Sequence, residues 1–183
     1  VGPEPAGFDA AEALRALEGL LGENEVRLRV AQVLEPIYRA RDDWQRLIGT
    51  HEAQLEFETE KPRRVELLRE MARFHEERDG NLTLAFEALA RAWAEEAGEG
   101  QDREEPLYLQ LAELAAQTDS FVELRGALER ALEGDVDDST RARLLARVGE
   151  IQERYQTDVP GAIATWRQVV ALAPDEVPAW KAL

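Results

Sequence analysis

The feature that most constrains this chain is its match with itself. Displaced by 77 residues, the sequence meets its own pattern over two long stretches. In the first, Leu34, Asp42, Leu47, Gly49, Glu52, Leu55 and Glu56 fall on Leu111, Asp119, Leu124, Gly126, Glu129, Leu132 and Glu133, and Trp44 falls on Phe121. In the second, Arg64, Leu67, Leu68, Glu76 and Ala85 fall on Arg141, Leu144, Leu145, Glu153 and Ala162. Apolar residues recur at helical spacing almost everywhere, and alternating strand patterns nowhere. Each 77-residue unit holds two helical pairs, so the basic period is about 37–40 residues, the range of solenoid repeats. Such a pair buries its apolar side only by stacking on its neighbours.

The periodicity predicts eight or nine helices of about 12–18 residues joined by short loops. The first covers residues 10–21, with Asp9 as its expected N-cap. Val26 to Ile37 makes a second, and Trp44 to Leu55 a third, opened by Asp42 or Asp43. Pro62 suits the first turn of a fourth, where its missing N–H is no loss. Gly80-Asn81 breaks the chain before the Leu82–Trp93 stripe, and Gly98 to Arg103 reads as a polar loop. Leu107, Leu111 and Leu114 begin the next helix, followed by Phe121 to Leu132. Ser139 is the expected cap of a helix through Ile151, and Asp158-Val159-Pro160 starts the last, which Pro174 closes. Trp44, Trp93 and Trp166 lie at inward positions, and Gly49 and Gly126 suggest close helix approach.

The stretch LLARVGEIQERYQTDVPGAIATWRQVVALAPDE, starting at Leu144, resembles a tetratricopeptide repeat with one extra residue in its inner turn. Gly149 stands at the small position of the first helix, Ala162, Trp166 and Val169 at the small, aromatic and small positions of the second, and Pro174 at the closing proline. A second stretch matches through Ala72, Ala85, Leu89 and Ala92, and a third through Ala112, Leu128 and Ala131. The Leu34–Gln54 unit departs furthest, with Glu35 at the small position and Gln54 in the second helix. The resemblance implies an all-α, right-handed α-solenoid of stacked antiparallel helical hairpins, with first helices on the concave side. Its divisions are a helix left from a preceding repeat (residues 1–24), hairpins at 25–60, 61–100, 101–136 and 137–174, and the start of another repeat at 175–183. Arginine far outnumbers lysine, which is confined to Lys61 and Lys181, as in a GC-rich genome; the expectation is a piece of a longer bacterial array.

Composition removes several kinds of chemistry. The chain has no cysteine, which excludes disulfides, thiolate metal sites and cysteine nucleophiles. Its formal net charge of −16 opposes binding to phosphate backbones and anionic membrane surfaces. No apolar run approaches the ~20 residues of a membrane span. His51 and His75 lack the second histidine of a metalloprotease helix, since Leu55 and Asp79 occupy its places. Asp135-Val136-Asp137-Asp138-Ser139 begins like a calcium loop, but Thr140 replaces the needed glycine and Ala146 the bidentate acid. Gly98-Glu99-Gly100 lacks the third glycine of a phosphate cradle. No catalytic residue, metal or cofactor is expected, and the two histidines read as core or groove-edge residues.

The resemblance therefore implies a non-catalytic scaffold that binds a protein or peptide segment on its concave face. A structural spacer with no groove of its own is the alternative. In the tetratricopeptide pattern, groove residues flank the small position of each first helix. Counted from Glu35, Ala72, Ala112 and Gly149, they are Arg29, Gln32, Arg39, Glu66, Arg69, Arg73, Glu76, Leu109, Glu113, Arg143, Glu150 and Glu153. Pro36, Pro106, Ala116 and Ala146 hold the remaining places. The lysine–asparagine clamp by which some arrays hold chaperone C-termini is absent from these faces. The acidic total predicts a partner with basic segments, and no nucleic acid or membrane. Terminal helices that have lost a stacking partner would expose Leu14, Leu17, Trp180 and Leu183 and promote self-association. A cytoplasmic location is the default expectation.

Overall fold

A computed structural model describes residues 10–97 and 100–174, with the side chains of 101–103 also left aside. Among the described residues the fold is all-α, without a strand. Nine α-helices follow in order: α1 (Ala10–Leu20), α2 (Arg27–Ala40), α3 (Trp44–Leu55), α4 (Lys61–Phe74), α5 (Leu82–Glu96), α6 (Gln101–Thr118), α7 (Phe121–Leu132), α8 (Asp138–Arg154) and α9 (Val159–Leu172). A π-helical turn, His75–Asp79, continues α4. The chain forms two compact units, Val1–Leu67 and Leu68–Leu183. Packing is sequential: α2 lies on α1 and α3 in the first unit, while α5 lies on α6, α7 on α8 and α8 on α9 in the second.

The 77-residue correspondence extends to the backbone. Asp42, Gly80, Asp119 and Thr157, at successive spacings of 38, 39 and 38 residues, all have left-handed φ, at 54°, 65°, 57° and 53°. Each is followed at once by the N-cap of the next helix: Asp43, Asn81, Ser120 and Asp158. The side chains of Asp43, Asn81 and Asp158 accept the N–H of Arg46, Leu84 and Gly161 at 3.3, 3.1 and 3.0 Å. That bond satisfies one of the donors a helix start leaves without an intrahelical acceptor.

The turns close in two alternating ways. Asp43 N and Ser120 N reach back five residues, to Tyr38 O and Ala115 O, each at 3.0 Å. Asn81 N and Asp158 N reach back six, to His75 O and Gln152 O at 2.8 and 2.9 Å. The longer closure accommodates one more residue, which the π-helical winding of His75–Asp79 absorbs before Gly80. A side-chain bond repeats as well: Arg64 donates to Leu55 O at 2.7 Å, and Arg141 to Leu132 O at 3.2 Å.

Thr157 is the one β-branched residue among the four left-handed positions, and its branched Cβ meets the steric conflict that Gly80 avoids. A left-handed backbone costs an ordinary residue ~1–2 kcal/mol, and asparagine tolerates it better. Thr157→Asn is expected to stabilise the chain by about 0.5–1 kcal/mol, measured as a higher urea midpoint with unchanged slope. An unchanged midpoint would mean that the threonine is not strained.

The last helix pair shows why small and aromatic residues alternate as they do. Trp166, Leu145, Ala162 and Val169 form a buried cluster, with Leu132, Ala146, Val170 and Leu172 packed against it. A Cβ at Gly149 would lie 2.9 Å from Trp166 Cε2, so the indole rests directly on the bare backbone of α8. Thr165 donates to Gln152 at 2.8 Å, a second link between α8 and α9.

Several expectations need correction. Gly98 to Arg103 is not one loop, because α6 already begins at Gln101. Ser139 does not cap α8; Asp137 does, accepting Thr140 N at 2.7 Å, and Ser139 lies inside the helix. Gly49 has no atom within 4 Å of a notional Cβ and Gly126 meets only the Arg130 side chain, so neither marks a close approach. Trp93 and Trp166 are buried, whereas Trp44 is half-buried. Leu14 is buried and Leu17 half-buried, so the two residues expected to be exposed on α1 are not. Asp9, Trp180 and Leu183 lie outside the described residues.

Candidate protein-binding surface

On α2, Arg29, Gln32, Pro36 and Arg39 face solvent, while Val30, Ala31, Leu34 and Tyr38 between them are buried. The same division holds on α4, where Glu66, Arg69 and Arg73 are exposed and Val65, Leu67, Leu68, Met71 and Ala72 are buried. Glu76 is exposed on the π-helical turn. On α6, Pro106, Leu109, Glu113 and Ala116 are exposed above buried Leu107, Leu111, Leu114 and Ala115. On α8, Glu153 is exposed, and Arg143, Ala146 and Glu150 are half-buried. The positions counted from the small residue thus project outward on α2, α4 and α6, and only Glu153 does so fully on α8.

Their charges are not equally available. Arg143 Nη2 donates to Glu104 Oε2 at 2.7 Å, and Arg147 holds the other oxygen of the same carboxylate. Glu104 is fully buried and the Arg147 side chain nearly so. Arg147 also pairs with Glu105, and its guanidinium lies 3.6 Å from the centre of the Tyr108 ring. Arg143 is therefore a strut between α6 and α8 rather than an arginine offered to a partner. The Tyr108 hydroxyl is pushed up to about 12, first by burial, with the nearby Arg147 charge opposing the rise. Elsewhere, Arg39 and Arg63 pair with Glu35, Glu66 with Arg63, and Arg73 with Glu70 at 3.3 Å. Arg73 also lies 5.7 Å from the Phe74 ring centre.

Glu35 and Gln54, the two residues that made the first hairpin look degenerate, answer each other. Gln54 Nε2 donates to Glu35 Oε2 at 2.7 Å, and Arg39 Nη2 to Oε1 at 3.0 Å. Under the 77-residue shift this polar pair occupies the places of Ala112 and Ala131. His51, fully buried beside them, replaces Leu128, which agrees with its expected core role. His75 is half-buried, with Nδ1 at 3.5 Å from Asp79. No group of three or more His, Asp or Glu among the described residues is gathered to hold a metal ion.

Burial acts to raise the Glu35 carboxyl, but hydrogen bonds from Gln54 and Arg39 and the charges of Arg63 and His51 hold it below the usual value of 4.5. A depressed carboxylate stabilises the fold above its unfolded pKa, and that contribution fades as pH falls through the folded value. Glu35→Gln is expected to flatten the acid limb of stability against pH below about 4.5, with little change in its slope near neutrality. Denaturant midpoints taken between pH 3 and 7 would check it; parallel curves for both proteins would remove the assignment.

No helix among the described residues is long and apolar enough to cross a membrane. No protein-family model matches the chain, and no curated protein matches it.

Proposed function

We propose that the chain is a tetratricopeptide-type array of stacked hairpins that binds another protein, or a peptide segment of one, through the exposed sides of α2, α4, α6 and α8. The observation that supports this reading is the split of α2, α4 and α6 into a buried side and an exposed side that carries the counted positions. The recurrent left-handed turns at 38–39 residues and the Gly149–Trp166 contact support the repeat type. Long helix faces suit an extended partner better than a small substrate.

The test is selection from a displayed peptide library by the intact chain, followed by affinity measurements on synthetic copies of the selected peptides. Arg29→Gln and Arg69→Gln should weaken binding more than Arg46→Gln and Arg130→Gln, with helicity unchanged by circular dichroism. Equal losses would move the site off the first helices. If no sequence is enriched, the chain is better read as a spacer.

A further inference from the structure

We infer that two polar networks fix which helices of this chain pair with which, so that its look-alike repeats do not assemble out of register. Helices related by the 77-residue shift share an apolar pattern: Leu34 and Leu47 have Leu111 and Leu124 as equivalents, and all four are buried. Apolar burial is non-directional, so by itself it does not tell α2 from α6 or α3 from α7. Misassembly among like units is a characteristic failure of repeat proteins.

The polar residues break that likeness. Between α2 and α3, Gln54 Nε2 donates to Glu35 at 2.7 Å, and Gln54 Oε1 accepts from Arg63 Nη2 of α4 at 3.4 Å. Arg63 also reaches Glu35 Oε2 at 3.3 Å. The equivalents of Glu35, Gln54 and Arg63 are Ala112, Ala131 and Thr140. With α6 in the place of α2, buried Gln54 would meet an alanine and lose the carboxylate it donates to, which leaves a buried donor unsatisfied. The second network, Arg143 and Arg147 on Glu104, differs from its equivalents by sign: Glu104 falls on Arg27, Arg143 on Glu66 and Arg147 on Glu70. With α2 in the place of α6, Arg27 would be set against Arg143 and Arg147. With α4 in the place of α8, Glu66 and Glu70 would be set against the fully buried Glu104. A buried pair adds little over an apolar seam, but a buried charge with the wrong neighbour is costly, so both networks act chiefly against the wrong pairings.

Glu35→Ala/Gln54→Ala gives α2 and α3 the residues that α6 and α7 already carry, and leaves Arg63 its Glu66 carboxylate. The chain has no cysteine, so spin labels can be placed uniquely at Gln32→Cys on α2 and Gln45→Cys on α3, both exposed. Double electron–electron resonance on the intact labelled chain, refolded from urea, reads the separation of the two helices. The parent is expected to give one separation. The double variant should add a second, in a fraction at least about fivefold above the parent's, the ratio that one unsatisfied buried polar group sets. Adding Glu104→Leu/Arg147→Met should raise that fraction further. Val30→Ala weakens α2 by a cavity without touching either network, and should keep one separation. An equal second population in Val30→Ala would trace the effect to lost stability and overturn the inference. A single unchanged separation in the double variant would overturn it as well. Loss of helicity in that variant, read by circular dichroism, would make the first network a support of the native fold rather than a discriminator, with the same consequence.

Discussion

Glu104→Ala is expected to destabilise the chain by about 3 kcal/mol, the low end of what breaking a buried pair costs, because the buried Arg147 guanidinium keeps only the half-exposed Glu105 carboxylate and Arg143 loses its partner. Removing one member of a buried pair strands the other charge, whereas replacing both members with apolar residues of similar size is often neutral. Glu104→Leu combined with Arg147→Met should therefore recover most of the loss. The single and double variants would be compared by urea unfolding of the intact chain. A single-variant loss under about 1 kcal/mol would place the pair among the weak ion pairs of exposed surfaces.

The second large effect is at Trp166. Truncation to alanine removes the ring that fills the space over Gly149 and leaves a cavity lined by Leu145, Ala162 and Val169. Loss of a buried tryptophan costs about 3–5 kcal/mol, a large part of the 5–15 kcal/mol that holds a typical domain together. In a stack of hairpins the damage stays near its source. Amide exchange should accelerate first in α8 and α9, and only later in α5. Acceleration of the same size in α5 and α9 would point to a single cooperative core. Gly149→Ala offers a graded companion: the helix gains up to ~1 kcal/mol of propensity, while the contact with the indole costs about 1–3 kcal/mol.

Much of the fold was legible because apolar spacing and turn residues repeat. Asp42 and Asp119 were visible as a matched pair, and both prove to be left-handed turn residues. The start of α6 was not, since Gln101 to Glu105 contains no apolar residue to extend the stripe backwards. Asp137 and Ser139 are both competent caps within one short acidic run, and only backbone direction chooses between them. Glu35 and Gln54 looked like departures from the pattern when taken separately; their hydrogen bond is a relation across 19 residues that periodicity does not register.

Exposure at the counted positions was legible in the sequence, and the state of the charges less so. Counting from the small residue found exposed side chains on α2, α4 and α6, but Arg143 was read as available although Glu104 holds it. A signal for that pairing was present. Glu104 falls in the apolar register of α6, one turn before Leu107, and Arg147 in that of α8, between Leu144 and Ile151. A charge in a core register requires an opposite charge on the facing helix. With 38 acidic and 22 basic residues in the chain, sequence alone offers too many candidates to name the partner.

The alternation of five- and six-residue closures also limits how such a chain can be lengthened or shortened. A single helix pair duplicated in sequence would bring two like closures into succession, each changing how its preceding helix ends while the left-handed residue and its cap keep their spacing. Insertion or removal of a whole 77-residue pair keeps the two closures alternating along the chain. The smallest part that preserves this alternation is therefore two helix pairs long, and graft junctions belong at matching points of that longer unit, such as Asp42 and Asp119.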